Sequence, residues 1–112
     1  MQIVFTATEV EYVNGVGSAS NAKGVEDFHY VRFGRQVDRQ HPANAGHYLE
    51  VDHDGNRWVN EVAKINITRG MLEFELKARR IILIRGAITD AEWVWFLNGL
   101  MEVFGADIIN VI

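Results

Sequence analysis

The sequence has no cysteine, only one proline and no long apolar run. Without cysteine, the 112-residue chain can form no disulfide bond and no thiolate metal site, and it has no thiol nucleophile. No apolar segment approaches the roughly 20 residues of a membrane-spanning helix, so no membrane association is expected. The first residues also lack the basic start and apolar run of a signal peptide. A cytoplasmic location is therefore expected.

An excess of basic residues is absent as well. The chain carries 11 Lys and Arg against 15 Asp and Glu, which gives a formal net charge of −4. Nucleic-acid binding needs clustered positive charge, so no nucleic-acid partner is expected. The local run of Arg32, Arg35 and Arg39 is interrupted by Asp38 and does not change this expectation. The length predicts a single domain, residues 1–112.

Apolar and polar residues alternate along much of the chain, which is typical of half-buried β-strands. The pattern predicts an α+β fold with a mainly antiparallel sheet of six to seven strands. No series of alternating strands and helices occurs, so a parallel sheet is not expected. Residues 80–85 are apolar on both faces, which predicts a central strand that is covered on both sides. Residues 14–24 and 34–46 are predicted to be loops. The other predicted strand segments are 3–12, 28–33, 47–52, 57–68 and 71–77.

One amphipathic helix is predicted near the C-terminus, packed on the sheet. Thr89 and Glu92 fit a capping box at its start, and Gly105 fits a C-terminal cap. At 100° per residue, one broad side of this helix is apolar. That side contains Trp93, Phe96, Leu97, Leu100, Met101, Val103 and Phe104, whereas Asn98, Gly99 and Glu102 lie opposite. Residues 107–112 are predicted to form a last strand or a docked segment.

Oxygen-bearing side chains alternate in the segment EVDHDGNRWV. They are Asp52, Asp54 and Asn56. A calcium loop of the helix–loop–helix kind needs Gly at its sixth position and Glu at its twelfth, but these positions hold Arg57 and Ala63. Asp54-Gly55 instead suits the two central positions of a tight hairpin turn. The turn is the preferred interpretation, and no metal site is expected.

No pattern of catalytic residues stands out, so neither catalytic residues nor a cofactor are predicted. The four histidines lack metal-ligand spacing, and the serines at 18 and 20 lack a nucleophile-elbow motif. Carboxylates are more informative, since Glu50 and Asp52 share one strand face, as do Glu73 and Glu75. These four residues form either an acidic recognition face or a solvated surface. An acid–base pair would require one of them to have a raised pKa.

The sequence does not decide whether two tryptophans are packed or exposed. On the helical wheel Trp95 falls with Asn98 and Glu102, on the polar side. It therefore either packs under another segment, such as the C-terminal tail, or is exposed at an interface. Trp58, beside the predicted hairpin turn, presents the same choice.

The middle of the chain resembles a family of immunity proteins from bacterial polymorphic toxin systems, the tenth such family. The resemblance covers the segments HYVRFGRQ and HYLEVDHDGNRWVNEVAKINITRGMLEFEL and the capped helix, about two-thirds of the chain. The matching positions are Tyr30, Arg32, Tyr48, Glu50, Asp54, Thr68 and Arg69. The resemblance implies a protein without catalytic activity that binds and neutralises a cognate toxin domain. A basic toxin would be attracted by acidic strand faces, and Trp58, Trp95, Tyr48 and Arg32 would anchor the complex.

Two other functions are compatible with the residues. A small-ligand-binding domain or an enzyme would use sheet carboxylates such as Glu50, Glu61 and Glu73 around an enclosed pocket. A homodimeric structural domain would associate through the apolar C-terminal tail or an open sheet edge. The binding protein is the preferred hypothesis, and no enzymatic activity is predicted.

Overall fold

The computed structural model describes residues 2–21, 28–37, 39–41, 45–52 and 56–112. Within these residues the chain forms ten strands and one helix. The strands are β1 (Gln2–Ala7), β2 (Glu9–Val13), β3 (Val16–Ser20), β4 (Tyr30–Gln36), β5 (Gly46–Val51), β6 (Asn56–Val59), β7 (Val62–Thr68), β8 (Met71–Leu76), β9 (Arg80–Arg85) and β10 (Ile109–Val111). The helix, α1, comprises Asp90–Phe104. The predicted α+β class with one helix near the C-terminus is confirmed.

The strands are divided between two five-stranded sheets. Sheet 1 has the order β1-β9-β8-β7-β10, and sheet 2 has the order β2-β3-β4-β5-β6. Every pairing in sheet 2 is antiparallel. In sheet 1, β8 pairs antiparallel with both neighbours, but the edge strands β1 and β10 pair in parallel with β9 and β7. Parallel pairing, which we did not expect, is feasible there because long connections separate the paired strands.

Two segments that resemble single strands in the sequence are each shared between the sheets. The first changes sheet at Thr8, whose backbone N–H donates to the carbonyl of Ser20 at 2.8 Å. This residue separates β1 from β2 and coincides with the change of phase in the apolar pattern. The second changes sheet at Asn60, which has a positive φ of 58° and lies between β6 and β7. These two divisions raise the seven predicted strand segments to nine, and β3, which lies in a predicted loop, is the tenth strand of the described residues.

The predicted loop at 14–24 begins with a hairpin and contains β3. Asn14 and Gly15 have φ values of 54° and 78° and join Val13 to Val16, which are paired across the turn. Two adjacent residues with positive φ are the requirement of the commonest two-residue hairpin turn. The turn that we predicted at Asp54-Gly55 lies outside the described residues. The strands before and after it, β5 and β6, do pair antiparallel.

The inner faces of the two sheets share one hydrophobic core with α1. Phe33 of sheet 2 has its ring centroid 5.5 Å from Phe96 and 5.7 Å from Phe104. Phe104 also contacts Phe74 of sheet 1, at 6.2 Å. The helix thus joins both sheets through aromatic contacts. Full burial of each such side chain contributes about 1.5–3 kcal/mol.

Both ends of α1 are capped as predicted. The Thr89 hydroxyl accepts the backbone N–H of Glu92 at 3.2 Å and donates to its carboxylate at 2.8 Å. At the other end Gly105, with φ 80°, donates its N–H to the carbonyl of Met101 at 2.8 Å. The chain then continues into β10, so the tail forms the predicted last strand.

Two positions on the helical wheel were assigned to the wrong side. Gly99 is buried because the Tyr12 ring packs against it, and a Cβ at Gly99 would lie only 2.3 Å from that ring. Met101 is exposed, although the wheel placed it on the apolar side. The helix is therefore buried mainly through Trp93, Phe96, Leu100, Val103 and Phe104.

The prediction for residues 80–85 was half right. β9 is central in sheet 1, between β1 and β8. Its inner residues Ile81 and Leu83 are fully buried, but Ile84 on the outer face is 42% exposed. The apolar outer face of β9 is therefore not covered within the described part of the chain.

Candidate functional site

Five polar side chains form a continuous row across the outer face of sheet 2. The register pairs Glu11 with Ser18, Ser18 with Arg32, Arg32 with Glu50, and Glu50 with Arg57. Each residue belongs to a different strand, so the row spans the sheet from β2 to β6. Directly opposed residues on neighbouring strands have Cβ atoms about 4.5–5.5 Å apart and interact. We call these five residues the charged row.

Glu50 is the centre of the hydrogen-bonding network in the charged row. Its Oε1 accepts from Nε and Nη2 of Arg57, at 3.0 and 2.7 Å. Its Oε2 accepts from the hydroxyl of Tyr30 at 2.9 Å and lies 3.9 Å from Nη1 of Arg32. Only 14% of the Glu50 side chain is exposed. Both carboxylate oxygens are therefore engaged by groups of the protein itself.

The surroundings of Glu50 keep it ionised. Desolvation by burial acts to raise the pKa of its carboxyl group. Hydrogen bonds from Arg57 and Tyr30, together with the charges of Arg57 and Arg32, more than offset this and lower the pKa below its usual value. A carboxyl group with a lowered pKa is a poor general acid at neutral pH. Glu50 is thus suited to hold cations rather than to transfer protons.

Two tyrosines lie beneath the arginines of the charged row. The Arg57 guanidinium lies 4.1 Å from the ring centroid of Tyr48, and that of Arg32 lies 5.7 Å from the ring centroid of Tyr30. Both tyrosines are buried. The arginine side chains nevertheless remain 40% and 42% exposed. Each guanidinium is therefore held against an aromatic ring while it faces solvent.

Two clefts lie on this outer face and meet at Glu11, Ser18 and Arg32. The larger cleft has a volume of about 550 Å³, and the smaller one, about 270 Å³, lies between Arg32 and Arg57. The larger cleft is bordered by Glu9, Glu11, Phe28, Tyr30, Arg32 and Glu92. The smaller cleft also contacts Val13, Val16 and Tyr48.

The structure brings together four of the residues that sequence analysis named. Arg32, Tyr48 and Glu50 were candidate site residues, and Tyr30 was named through the family resemblance. It adds Arg57, which we did not select. The signal for Arg57 was its position in the hairpin formed by β5 and β6, where an antiparallel register can place it opposite Glu50. That register depends on the length of the connecting loop, so it was not evident from the alternation alone.

Asp52 has a different role from its neighbour Glu50. Its Oδ2 lies 2.7 Å from Nδ1 of His29, and its Oδ1 accepts the backbone N–H of Tyr30 at 2.9 Å. Asp52 also has a positive φ of 53°, at the end of β5. Its carboxylate therefore fixes the start of β4 and is not directed at the charged row.

Glu73 and Glu75 lie together on the outer face of sheet 1. The side-chain amide of Asn66 donates to both, at 2.8 and 2.6 Å. Arg80 forms an ion pair with each of them at 3.7 Å. The two carboxylates are thus neighbours, as predicted, but they belong to a different sheet from Glu50.

The two candidate tryptophans differ in exposure. Trp95 is 44% exposed, and the C-terminal tail pairs with β7 instead of covering it. Trp58 is half-buried and packs against the core, with the guanidinium of Arg79 at 4.7 Å from its ring centroid. Only Trp95 is therefore available as an exposed aromatic anchor, and neither residue belongs to the charged row.

The carboxylates considered for an enzyme are separated. Glu50 lies on sheet 2, Glu73 lies on the outer face of sheet 1, and Glu61 is exposed between β6 and β7. Among the described residues, no group of three or more His, Asp or Glu side chains is arranged to hold a metal ion.

His47 is the most perturbed histidine in the described part of the chain. Its ring packs on Phe104 at 5.0 Å, and its buried Nδ1 makes no hydrogen bond there. Burial, and then the charge of Arg35, lower the pKa of the imidazole. His47 is therefore a half-buried residue whose surroundings favour the neutral imidazole, and it does not border either cleft.

None of the helices in the described part of the chain has the length and apolar character needed to span a membrane. Comparison of the chain with protein-family models, curated proteins and solved structures gives no match.

Proposed function

We propose that this protein is a non-catalytic binding protein that recognises another protein through the outer face of sheet 2. Within that class we propose an immunity protein that neutralises a cognate toxin domain. The resemblance noted from the sequence supports the second, narrower statement. The charged row supports the first, and it is the single observation on which the proposal depends.

The charged row has the composition of a protein-binding surface. Arg and Tyr are enriched among the residues that dominate binding free energy at interfaces. Here Arg32 and Arg57 are already held by Glu50 and by the tyrosine rings before any partner binds. Side chains that are ordered in advance lose less conformational entropy on binding. The two arginines are therefore ordered for binding before the partner arrives.

The larger cleft indicates the charge of the partner. Glu9, Glu11 and Glu92 border it, and Arg32 is the only cationic residue among its described lining residues. Acidic side chains around a concave surface attract basic partners and raise the association rate, an effect that salt weakens. A basic toxin domain fits this side of the surface. The net charge of −4 acts in the same direction.

The proposal predicts a gene for a toxin domain beside the gene for this protein, and a binding measurement with that domain tests it. We expect a 1:1 complex at micromolar concentration and low salt, with slower association as salt increases. Arg57→Ala is expected to weaken binding about tenfold or more. The matched control, Arg80→Ala on the outer face of sheet 1, is expected to leave the affinity within about twofold. Absence of a complex, or equal losses in both variants, would contradict the proposal.

Self-association is a second candidate function, and one observation favours it. β10 is an edge strand of sheet 1, and its residue Val111 and the following Ile112 are exposed and apolar. An edge strand with exposed apolar side chains can pair with another chain. Sedimentation at several concentrations would detect a homodimer. A monomer at every concentration would exclude this second candidate under those conditions.

A further inference from the structure

The smaller cleft contains hydrogen-bond donors that have no acceptor among the described residues. Arg32 forms an ion pair with Glu50 at 3.9 Å, which is beyond hydrogen-bonding distance. Within the described part of the chain its guanidinium donates no hydrogen bond. Arg57, in contrast, donates to Glu50 through two nitrogens and to Gln36 through the third. Of the two arginines at the cleft, Arg32 is the one whose guanidinium nitrogens donate no hydrogen bond to a described residue, whereas each of the three nitrogens of Arg57 donates one.

We propose that this cleft binds a carboxylate side chain, Asp or Glu, presented by the protein partner, and that Arg32 is its main donor. This inference rests on the proposed function and names the chemical group that the partner contributes. A guanidinium presents its donors as a planar fork that matches the two oxygens of a carboxylate. The ring of Tyr30 and the ion pair with Glu50 fix the direction of that fork.

Glu50 does not compete with the partner's carboxylate for the donors of Arg32. Its Oε1 is occupied by Arg57 and its Oε2 by the Tyr30 hydroxyl. It is also largely shielded, and it compensates the charge of only one of the two arginines. The three residues Arg32, Glu50 and Arg57 together carry a net charge of +1, and the exposed part of this trio consists mainly of the two guanidiniums.

The rest of the cleft suits an acidic side chain. Ser18 is directly paired with Arg32 and offers a hydroxyl beside it. Val13 and Val16 are exposed at the edge and can contact the aliphatic part of the ligand. Glu11 also borders the cleft, two strands from Arg32, which corresponds to about 9–10 Å. This acidic residue favours a basic group on the partner at about that distance from its carboxylate.

The test uses N-acetyl-glutamate α-amide, whose one carboxylate is that of the side chain, as a probe, with NMR of the arginine Nε–Hε groups in the 112-residue chain. At constant ionic strength, we expect a saturable shift of the Arg32 signal. N-acetyl-glutamine α-amide, which has the same shape but no carboxylate, is expected to give no saturable shift. The Arg35 signal serves as an internal control, because this exposed arginine lies on the same strand but does not border the cleft.

Two variants complete the test. Arg32→Gln is expected to abolish the saturable response, and Arg32→Lys to weaken it, because lysine keeps the charge but loses the planar fork. Thermal unfolding of both variants verifies that they are folded. If Arg32→Gln is unfolded, titration of the wild-type protein with the two probes and with inorganic phosphate still shows whether the cleft binds a carboxylate. Saturation by phosphate alone, an equal response to N-acetyl-glutamine α-amide, or no Arg32 shift would overturn the proposal.

This outcome is separable from that of the proposed function. A carboxylate response without binding of the toxin domain would leave the cleft assignment standing and remove the toxin as partner. A toxin complex whose affinity is unchanged by Arg32→Gln would leave the binding function standing and remove the cleft assignment.

Discussion

The outer faces of the two sheets each carry a row of five directly paired residues, and the rows differ in kind. In sheet 2 the row is Glu11, Ser18, Arg32, Glu50 and Arg57. In sheet 1 the corresponding row is Asn110, Asn66, Glu73, Ile82 and Val4. The first row is polar throughout, whereas the second changes from polar to apolar across the sheet.

The two rows also hold their glutamates differently. In sheet 1 the amide of Asn66 and the guanidinium of Arg80 each have two acceptors, Glu73 and Glu75. Loss of one carboxylate leaves the other. In sheet 2, Arg57 and Arg32 have ion pairs with Glu50 alone among the described residues. A duplicated arrangement tolerates substitution, whereas an arrangement with one central acceptor does not.

Removal of the Glu50 carboxylate is expected to produce the largest difference in unfolding free energy between variants of the two faces. Glu50→Ala is expected to lower the free energy of unfolding by about 2–3 kcal/mol, because two arginines lose their counter-charge and half-buried donors lose an acceptor. Glu73→Ala is expected to cost about 0.5–1 kcal/mol, since Glu75 remains. Urea unfolding of both variants measures these values. Equal losses would show that the two rows do not differ in the way described.

Acid is expected to weaken sheet 2 through the same residue. The pKa of Glu50 is lower in the folded protein than the ordinary value of 4.5. Its contribution to stability is therefore complete above about pH 4.5 and is lost as the pH falls below that value. Unfolding free energies between pH 7 and pH 3, compared with those of Glu50→Gln, measure this contribution. A pH profile that is identical in the variant would contradict it.

Replacement of one arginine in each sheet by lysine tests the same difference between the two outer faces. Arg57→Lys is expected to cost about 1 kcal/mol, because lysine cannot make the two hydrogen bonds to Glu50 or stack in the same way on Tyr48. Arg80→Lys is expected to cost less than about 0.5 kcal/mol, because its ion pairs are longer and more exposed. Thermal unfolding suffices for this pair, and a larger loss at Arg80 would reverse the expected order.

The smallest effect is expected on the apolar end of the row in sheet 1. Ile84 is exposed next to that row, so Ile84→Thr is expected to change the free energy of unfolding by less than about 0.5 kcal/mol. Denaturant unfolding at two protein concentrations provides the measurement. A large, concentration-dependent loss would instead show that this face is covered in an oligomer.

Part of the candidate site was readable from the sequence. Alternation correctly placed Glu73 with Glu75, because side chains two apart in a strand share a face. It also placed Glu50 with Asp52, but Asp52 follows the end of β5 with a positive φ, and its carboxylate contacts His29 and the Tyr30 N–H instead. Arg57 could not be assigned in this way, since its pairing with Glu50 depends on the register across a hairpin. The hairpin at Asn14-Gly15 was also missed, although that dipeptide is a strong turn signal. The surrounding glycines and serines obscured it.

The sequence by itself determined the strand periodicity, the capped helix and the α+β class, because these depend on interactions between residues close in the chain. Only the tertiary structure decided that the strands divide between two sheets, that Trp95 is uncovered and Trp58 is packed, and that five strands contribute one charged row. These features depend on register and on contacts between distant segments. A shift of one residue in register would turn Glu50 or Arg57 to the other face, and no local pattern measures that alignment.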